Sequence, residues 1–156
     1  VRFEADFGPD RITGDMPVSA AELTLDFADV ANSRVAVRLD AARARASFPF
    51  AAQALVGPKV LDIRHHPEIH FRSTSVRRNG EGARIAGEMT IRGVTHTVTL
   101  DAVIWRQRGT LPGDLAHLTI RLTGRLSRSA FGATGWADMV GDEVRIDILA
   151  RVDRDG

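Results

Sequence analysis

Apolar and polar residues alternate along most of this chain. Val1, Phe3, Ala5 and Phe7 fall on one face of an extended segment, with Arg2, Glu4 and Asp6 on the other. The same period of two recurs in Leu23, Leu25 and Phe27; in Val35, Val37 and Leu39; and in Ile69 and Phe71. It returns in Ile85, Gly87, Met89 and Ile91; in Val98, Leu100, Ala102 and Ile104; in Leu118, Ile120 and Leu122; and in Val144, Ile146, Ile148 and Ala150. Successive side chains of a strand point to opposite faces, so this pattern predicts eight half-buried strands. Gly8-Pro9-Asp10, Ala31-Asn32, Asn79-Gly80, Pro112-Gly113-Asp114 and Gly141-Asp142 supply turn residues between them.

One stretch breaks the alternation. Phe50 to Leu55 is helix-prone and is followed by Gly57-Pro58, and Pro67 disfavours helix at His66. A short helical insertion is therefore expected between strands three and four. Strands with a single apolar face suggest an antiparallel sheet, closed as an up-and-down barrel or stacked as a sandwich. A barrel of about eight strands can be filled by its own side chains or can hold one small ligand.

Composition narrows the class. The 156 residues suit one domain, here residues 1–156, and 44% apolar with 26% charged residues is a globular balance. No run approaches the roughly 20 apolar residues of a membrane-spanning helix. The absence of cysteine removes disulfides, thiolate catalysis and cysteine-ligated zinc. A net charge of +1 gives no field that would select nucleic acid. Nine aromatics and no tyrosine leave few rings to fill a barrel centre, which is compatible with a cavity.

The residues offer little catalytic chemistry. His66 and His70 have a helical metal-ligand spacing, but Pro67 intervenes and the second lies in a predicted strand, so no metal site is expected. No Gly-x-Ser-x-Gly elbow or phosphate-binding glycine loop is present, and Ser73, Ser75, Ser127 and Ser129 have no local base. Arg34, Arg38, Arg43 and Arg45 read as a solvated strand face without interleaved aromatics for base stacking. Asp138, Asp142 and Glu143 read as turn chemistry. No enzymatic activity and no cofactor is expected.

Four stretches resemble the YceI-like family in its own order. They are Val60 to Thr74 (Pro67-Glu-Ile-His-Phe-Arg-Ser73 within it), Gly87 to Leu100 (Gly-Glu-Met-Thr-Ile-Arg-Gly-Val-Thr-His-Thr-Val-Thr-Leu), Arg128-Ser-Ala-Phe-Gly132, and Val140-Gly-Asp-Glu-Val144. The resemblance covers residues 1 to 152. It departs at His96, where the family prefers arginine, at Thr97, and across Ala41 to Lys59. The opening strand resembles only the last part of the family's usual start.

The resemblance implies an eight-stranded antiparallel lipocalin-like β-barrel. It implies that a long-chain amphiphile (a polyisoprenoid, isoprenoid quinone or fatty-acid-like lipid) is carried or stored inside. It also implies export, so a periplasmic or secreted location is expected, with the leader absent from this chain. The expected tunnel residues are Phe3, Phe27, Val35, Val37, Leu61, Ile69, Phe71, Met89, Ile91, Val98, Leu100, Ile120, Ile146 and Ile148. Arg92 and Arg128 are the motif arginines expected at the head group, the alternative being ion pairs with Asp142 or Glu143. A second reading, from a different class, is an interaction module that docks to a membrane redox partner or to a second copy of the chain through its outer faces, Trp105 and Trp136.

Overall fold

The computed structural model describes residues 1–7, 9–24, 29–47, 49–80, 82–106, 117–136 and 138–153. They form ten strands and one helix: β1 Arg2–Phe7, β2 Asp10–Asp15, β3 Val18–Thr24, β4 Arg34–Asp40, β5 Arg45–Ala46, α1 Pro49–Val56, β6 Glu68–Asn79, β7 Gly82–Ile91, β8 Val94–Arg106, β9 His117–Ser127 and β10 Val140–Asp153. All belong to one antiparallel sheet in the order β3-β4-β6-β7-β8-β9-β10-β1-β2-β5. From β6 to β10 each strand pairs with its neighbour in sequence, as the short connections predict.

The sheet is rolled up by one short link. β2 pairs with β1 and β3 pairs with β4, which lie at opposite ends of the sheet, yet only Met16 and Pro17 separate β2 from β3. The three Cα–Cα steps from Asp15 to Val18 reach at most about 11 Å, so the sheet must curl to bring β2 and β3 together. Met16 N donates to Val1 O at 2.8 Å and Asp40 N to Pro17 O at 2.9 Å, tying both sides to the link. Pro17 has no N–H to donate to a ladder, which suits the bend. The result is a curled, barrel-like sheet with ten strands where eight were expected.

The extra strands are those with no apolar alternation to reveal them. β2 carries one large apolar residue, Ile12, and β5 is two residues long. β3 lies earlier than the strand predicted at Leu23 to Phe27, because its pairing with β4 starts at Val18 and its small side chains are mostly exposed. Leu25 and Phe27 lie outside the described residues, as does Pro112-Gly113-Asp114. The helical insertion stands where it was expected, as α1.

Burial follows the predicted faces. In β7, Ala83, Ile85, Met89 and Ile91 are buried while Arg84 and Glu88 are exposed. β6 runs well past Phe71 because a β-bulge between Ser73 and Ser75 shifts its phase, and Val76 then turns inward. Asn79-Gly80 closes the β6–β7 hairpin with Gly80 at φ +59°. Arg92 and Gly93, at φ +56° and +73°, form the two-residue turn between Ile91 and Val94. Positive φ at both positions is what a right-handed hairpin twist requires. Arginine there costs on the order of 1 kcal/mol relative to glycine.

Two rings that line the interior pass close over glycines of neighbouring strands. Phe3 sits over Gly14, its partner on β2, and Phe71 sits over Gly87 on β7. A Cβ on Gly87 would fall 2.6 Å from both the Phe71 ring and Arg72 O. Gly87→Ala is therefore expected to destabilise the fold by about 1–3 kcal/mol through overpacking. Gly57→Ala, whose nearest neighbours lie at 3.4 Å, is expected to be tolerated. Urea unfolding of both variants beside the parent chain checks the contrast.

Candidate functional site

The inner face of the sheet encloses a cavity of about 170 Å³. A water needs roughly 10–15 Å³ of the same kind of space, so the volume corresponds to a chain of atoms and not to a packing defect. Its wall is aliphatic and aromatic, and Arg128 is the one ionisable residue on it among the described residues. An apolar space of this kind gains nothing from water and favours hydrocarbon.

Eleven of the expected tunnel residues line it: Phe3, Val35, Val37, Leu61, Ile69, Phe71, Met89, Ile91, Leu100, Ile146 and Ile148. Val98 and Ile120 are buried in the core but do not reach the cavity, and Phe27 lies outside the described residues. The reading missed much of one end. Leu55, Val60, Phe131, Trp136, Met139 and Val140 also line the space, along with Met16 and Leu39. Most of these sit in α1 and in loops, where no period of two marks an inward face.

That end is the opening. Trp136 and Met139 line the cavity yet remain 46% and 48% exposed. They belong to the loop between β9 and β10, and the turn after α1 faces them. Gly135 N donates to Lys59 O at 2.9 Å, and the Lys59 ammonium stands 5.6 Å from the Trp136 ring centroid. Trp136 has φ +64°, a left-handed conformation that a large L-residue adopts at a cost.

Arg128 holds this loop. Its Nε donates to Gly141 O at 3.0 Å, its Nη1 to Ala133 O and Gly135 O at 2.7 and 2.6 Å, and its Nη2 to Val140 O at 2.9 Å. Four of the five guanidinium donors thus end on backbone carbonyls. The side chain is buried, and burial pulls its pKa below the usual arginine value, opposed by the charge of Asp142. Asp142 in turn accepts from Ser127 Oγ and, at 2.9 Å, from Ser129 N. Those serine hydrogen bonds hold its carboxyl below the ordinary carboxylate range. Phe131, 2% exposed, packs beneath, and Gly132 at φ +77° ends the short 3₁₀ turn Ser129–Phe131.

Arg92 lies off the cavity wall. Its Nη1 donates to Gly132 O and its Nη2 to Pro58 O at 2.8 Å, so it ties the β7–β8 turn to both rim loops. Neither expected head-group arginine presents an open guanidinium fork to the cavity. Neither makes its main contacts with Asp142 or Glu143 either: backbone carbonyls occupy them. The histidines make separate contacts: His65 meets Asp62 at 3.1 Å and lies 6.5 Å from the His66 ring, His70 is exposed on β6, and the His96 ring stands edge-on to Phe131 at 5.2 Å. Among the described residues no group of three or more His, Asp or Glu side chains is placed to hold a metal. No described helix is long and apolar enough to cross a membrane.

Comparison with known proteins agrees with this geometry. The model of the YceI-like domain matches residues 1–152. A UPF0312 protein of Serratia proteamaculans is 30% identical over 111 residues, 71% of this chain and 57% of that protein. A UPF0312 protein of Yersinia pestis is 38% identical over 53 residues, 34% of this chain and 28% of that protein. The chain thus spans little more than half the length of the first of these relatives. The crystal structure of Burkholderia cenocepacia BcnA superposes with a TM-score of 0.83 at 22% identity, covering 97% of this chain and 94% of that one. The Campylobacter jejuni YCEI protein gives 0.76 at 19% identity, over 92% and 85% of the two chains.

The Arg128 clamp has two measurable consequences. Arg128→Met leaves four carbonyls without their donor and is expected to cost about 2–5 kcal/mol in chemical denaturation. Asp142 has its pKa lowered on folding, so its contribution is present above the unfolded carboxylate value and is lost as pH falls through the lower folded value. Stability should therefore decline below about pH 4. In Asp142→Asn that part of the decline should be absent, as thermal unfolding across the acid range would show.

Proposed function

This chain belongs to the YceI-like family, known as a polyisoprenoid-binding fold, and on that premise we propose that it binds a long apolar chain in its barrel. The observation that carries the reading is the cavity itself: an open-ended apolar space whose one charged lining residue is already occupied by carbonyls. Affinity there comes from burying methylenes, at about 0.8 kcal/mol each. The lining described is almost wholly apolar, which supports the role of a carrier or store. The occupant is an isoprenoid or another long-chain lipid with its polar end left at the rim. A periplasmic or secreted location is part of the same proposal.

The alternative of an interaction module keeps one specific observation in its favour, the exposed Trp136. It is compatible with lipid carriage, because the same residue borders the cavity.

The reading is tested by chain length. In a homologous series of alkyl or prenyl probes, affinity is expected to rise by about fourfold per added methylene until the cavity is full, then level off. Displacement of a fluorescent prenyl probe measures this. Native mass spectrometry of gently purified protein should show a co-purified lipid. No uptake of any probe, together with a clean unliganded mass, would overturn the proposal.

A further inference from the structure

The rim of the cavity carries a feature that ligand binding alone does not explain. Trp136 and Met139 are exposed where the cavity opens, and Val94, next to the β7–β8 turn that Arg92 ties to the same loops, is exposed as well. An indole on a left-handed backbone is held outward at a conformational cost. The loop beneath it is fixed by the Arg128 bonds and by hydrogen bonds from Met139 N and Val140 N to Trp136 O at 3.0 and 2.9 Å. Lys59, the single lysine among twenty arginines, stands over that indole. An amphipathic ring beside an ammonium on a flexible apolar stem is the side-chain chemistry of the boundary between lipid headgroups and acyl chains.

We infer that this rim docks on the surface of a lipid bilayer, with Trp136 and Met139 among the upper acyl chains and Lys59 at the phosphates. The inference rests on the reading that the cavity holds an apolar chain. The chain then passes from bilayer to cavity without crossing water, because the residues that touch the membrane are the residues that line the opening. Lys59 supplies a cation for headgroup phosphate beside the exposed Asp138 of the same rim, and the continuity of rim and cavity selects a lipid surface over a protein.

The experiment uses the full chain with Trp105→Phe, so that fluorescence reports Trp136. Vesicles of phosphatidylcholine, and of an equimolar mixture with phosphatidylglycerol, are added with no probe lipid. Expected are a blue shift of the emission, quenching by lipids brominated near the headgroup end of the acyl chain, and co-sedimentation that is stronger on the anionic vesicles. Lys59→Gln should weaken binding to the anionic vesicles by about fivefold. Trp136→Gly relieves the left-handed strain, so the fold persists, and Met139→Ser is a second variant; each should reduce co-sedimentation several-fold. Unchanged emission and no co-sedimentation at low salt would overturn the inference, as would burial of Trp136 by dimerisation without vesicles. Uptake of a prenyl probe from detergent is measured separately on the parent chain. Uptake without vesicle binding removes the docking surface and leaves the cavity reading; quenching without uptake supports docking and removes the cavity reading.

Discussion

Everything in this fold depends on inward side chains that do not fill the space they enclose. A ten-stranded sheet rolled up across Met16 and Pro17 has more circumference than its aliphatic inner residues can occupy. Two of the rings that line the space, Phe3 and Phe71, lie against glycines on the adjacent strands. The 170 Å³ of apolar space left between the inner side chains is open at one end. A sheet around such a space must be held by its own pairing, because few contacts cross the middle. The continuous ladder from β6 to β1, with one buried face, holds it here.

The second constraint sits at the mouth. A loop from Ser129 to Met139 must cross the open end without collapsing into an apolar hole, and it has no strand ladder to satisfy its carbonyls. Arg128 supplies that function by spreading four donors over Ala133, Gly135, Val140 and Gly141. Asp142 returns the charge balance and holds the other side of the turn through Ser127 and Ser129. Arg92 closes the collar by reaching Gly132 and Pro58. Arg92 and Arg128 thus frame the opening through backbone carbonyls, and their planar, multi-donor geometry is why arginine serves there.

Much of this was legible in the sequence, and the boundary is physical. Strands with one buried face declare themselves, so Phe71, Met89, Leu100 and Ile146 were placed correctly on the inner wall. The bulge in β6 hid Val76 because a single extra residue reverses the phase of alternation. β2 and β5 were missed and β3 was placed too late, because main-chain pairing holds these segments and leaves no apolar pattern. Leu55, Val60 and Met139 escaped because α1 and the loops have no period of two. The role of Arg128 was invisible for another reason: its partners are carbonyls, which every residue has.

The occupied guanidinium also bears on selectivity under the proposed function. A buried polar head would need donors or acceptors to replace its water, and leaving such a group unpaired costs about 1–3 kcal/mol. Among the described residues the wall provides no unengaged guanidinium fork to receive it. Any amphiphile in this cavity must therefore leave its head at the rim, where solvent and Lys59 can solvate it. Discrimination then falls on length and branching of the hydrocarbon, read by Val, Ile, Leu and Met side chains. Each misplaced methyl in such a wall is worth only about 1 kcal/mol. A site of this construction sorts ligands by shape over several carbons and accepts related head groups, as suits a carrier of one class of chain more than a receptor for one molecule.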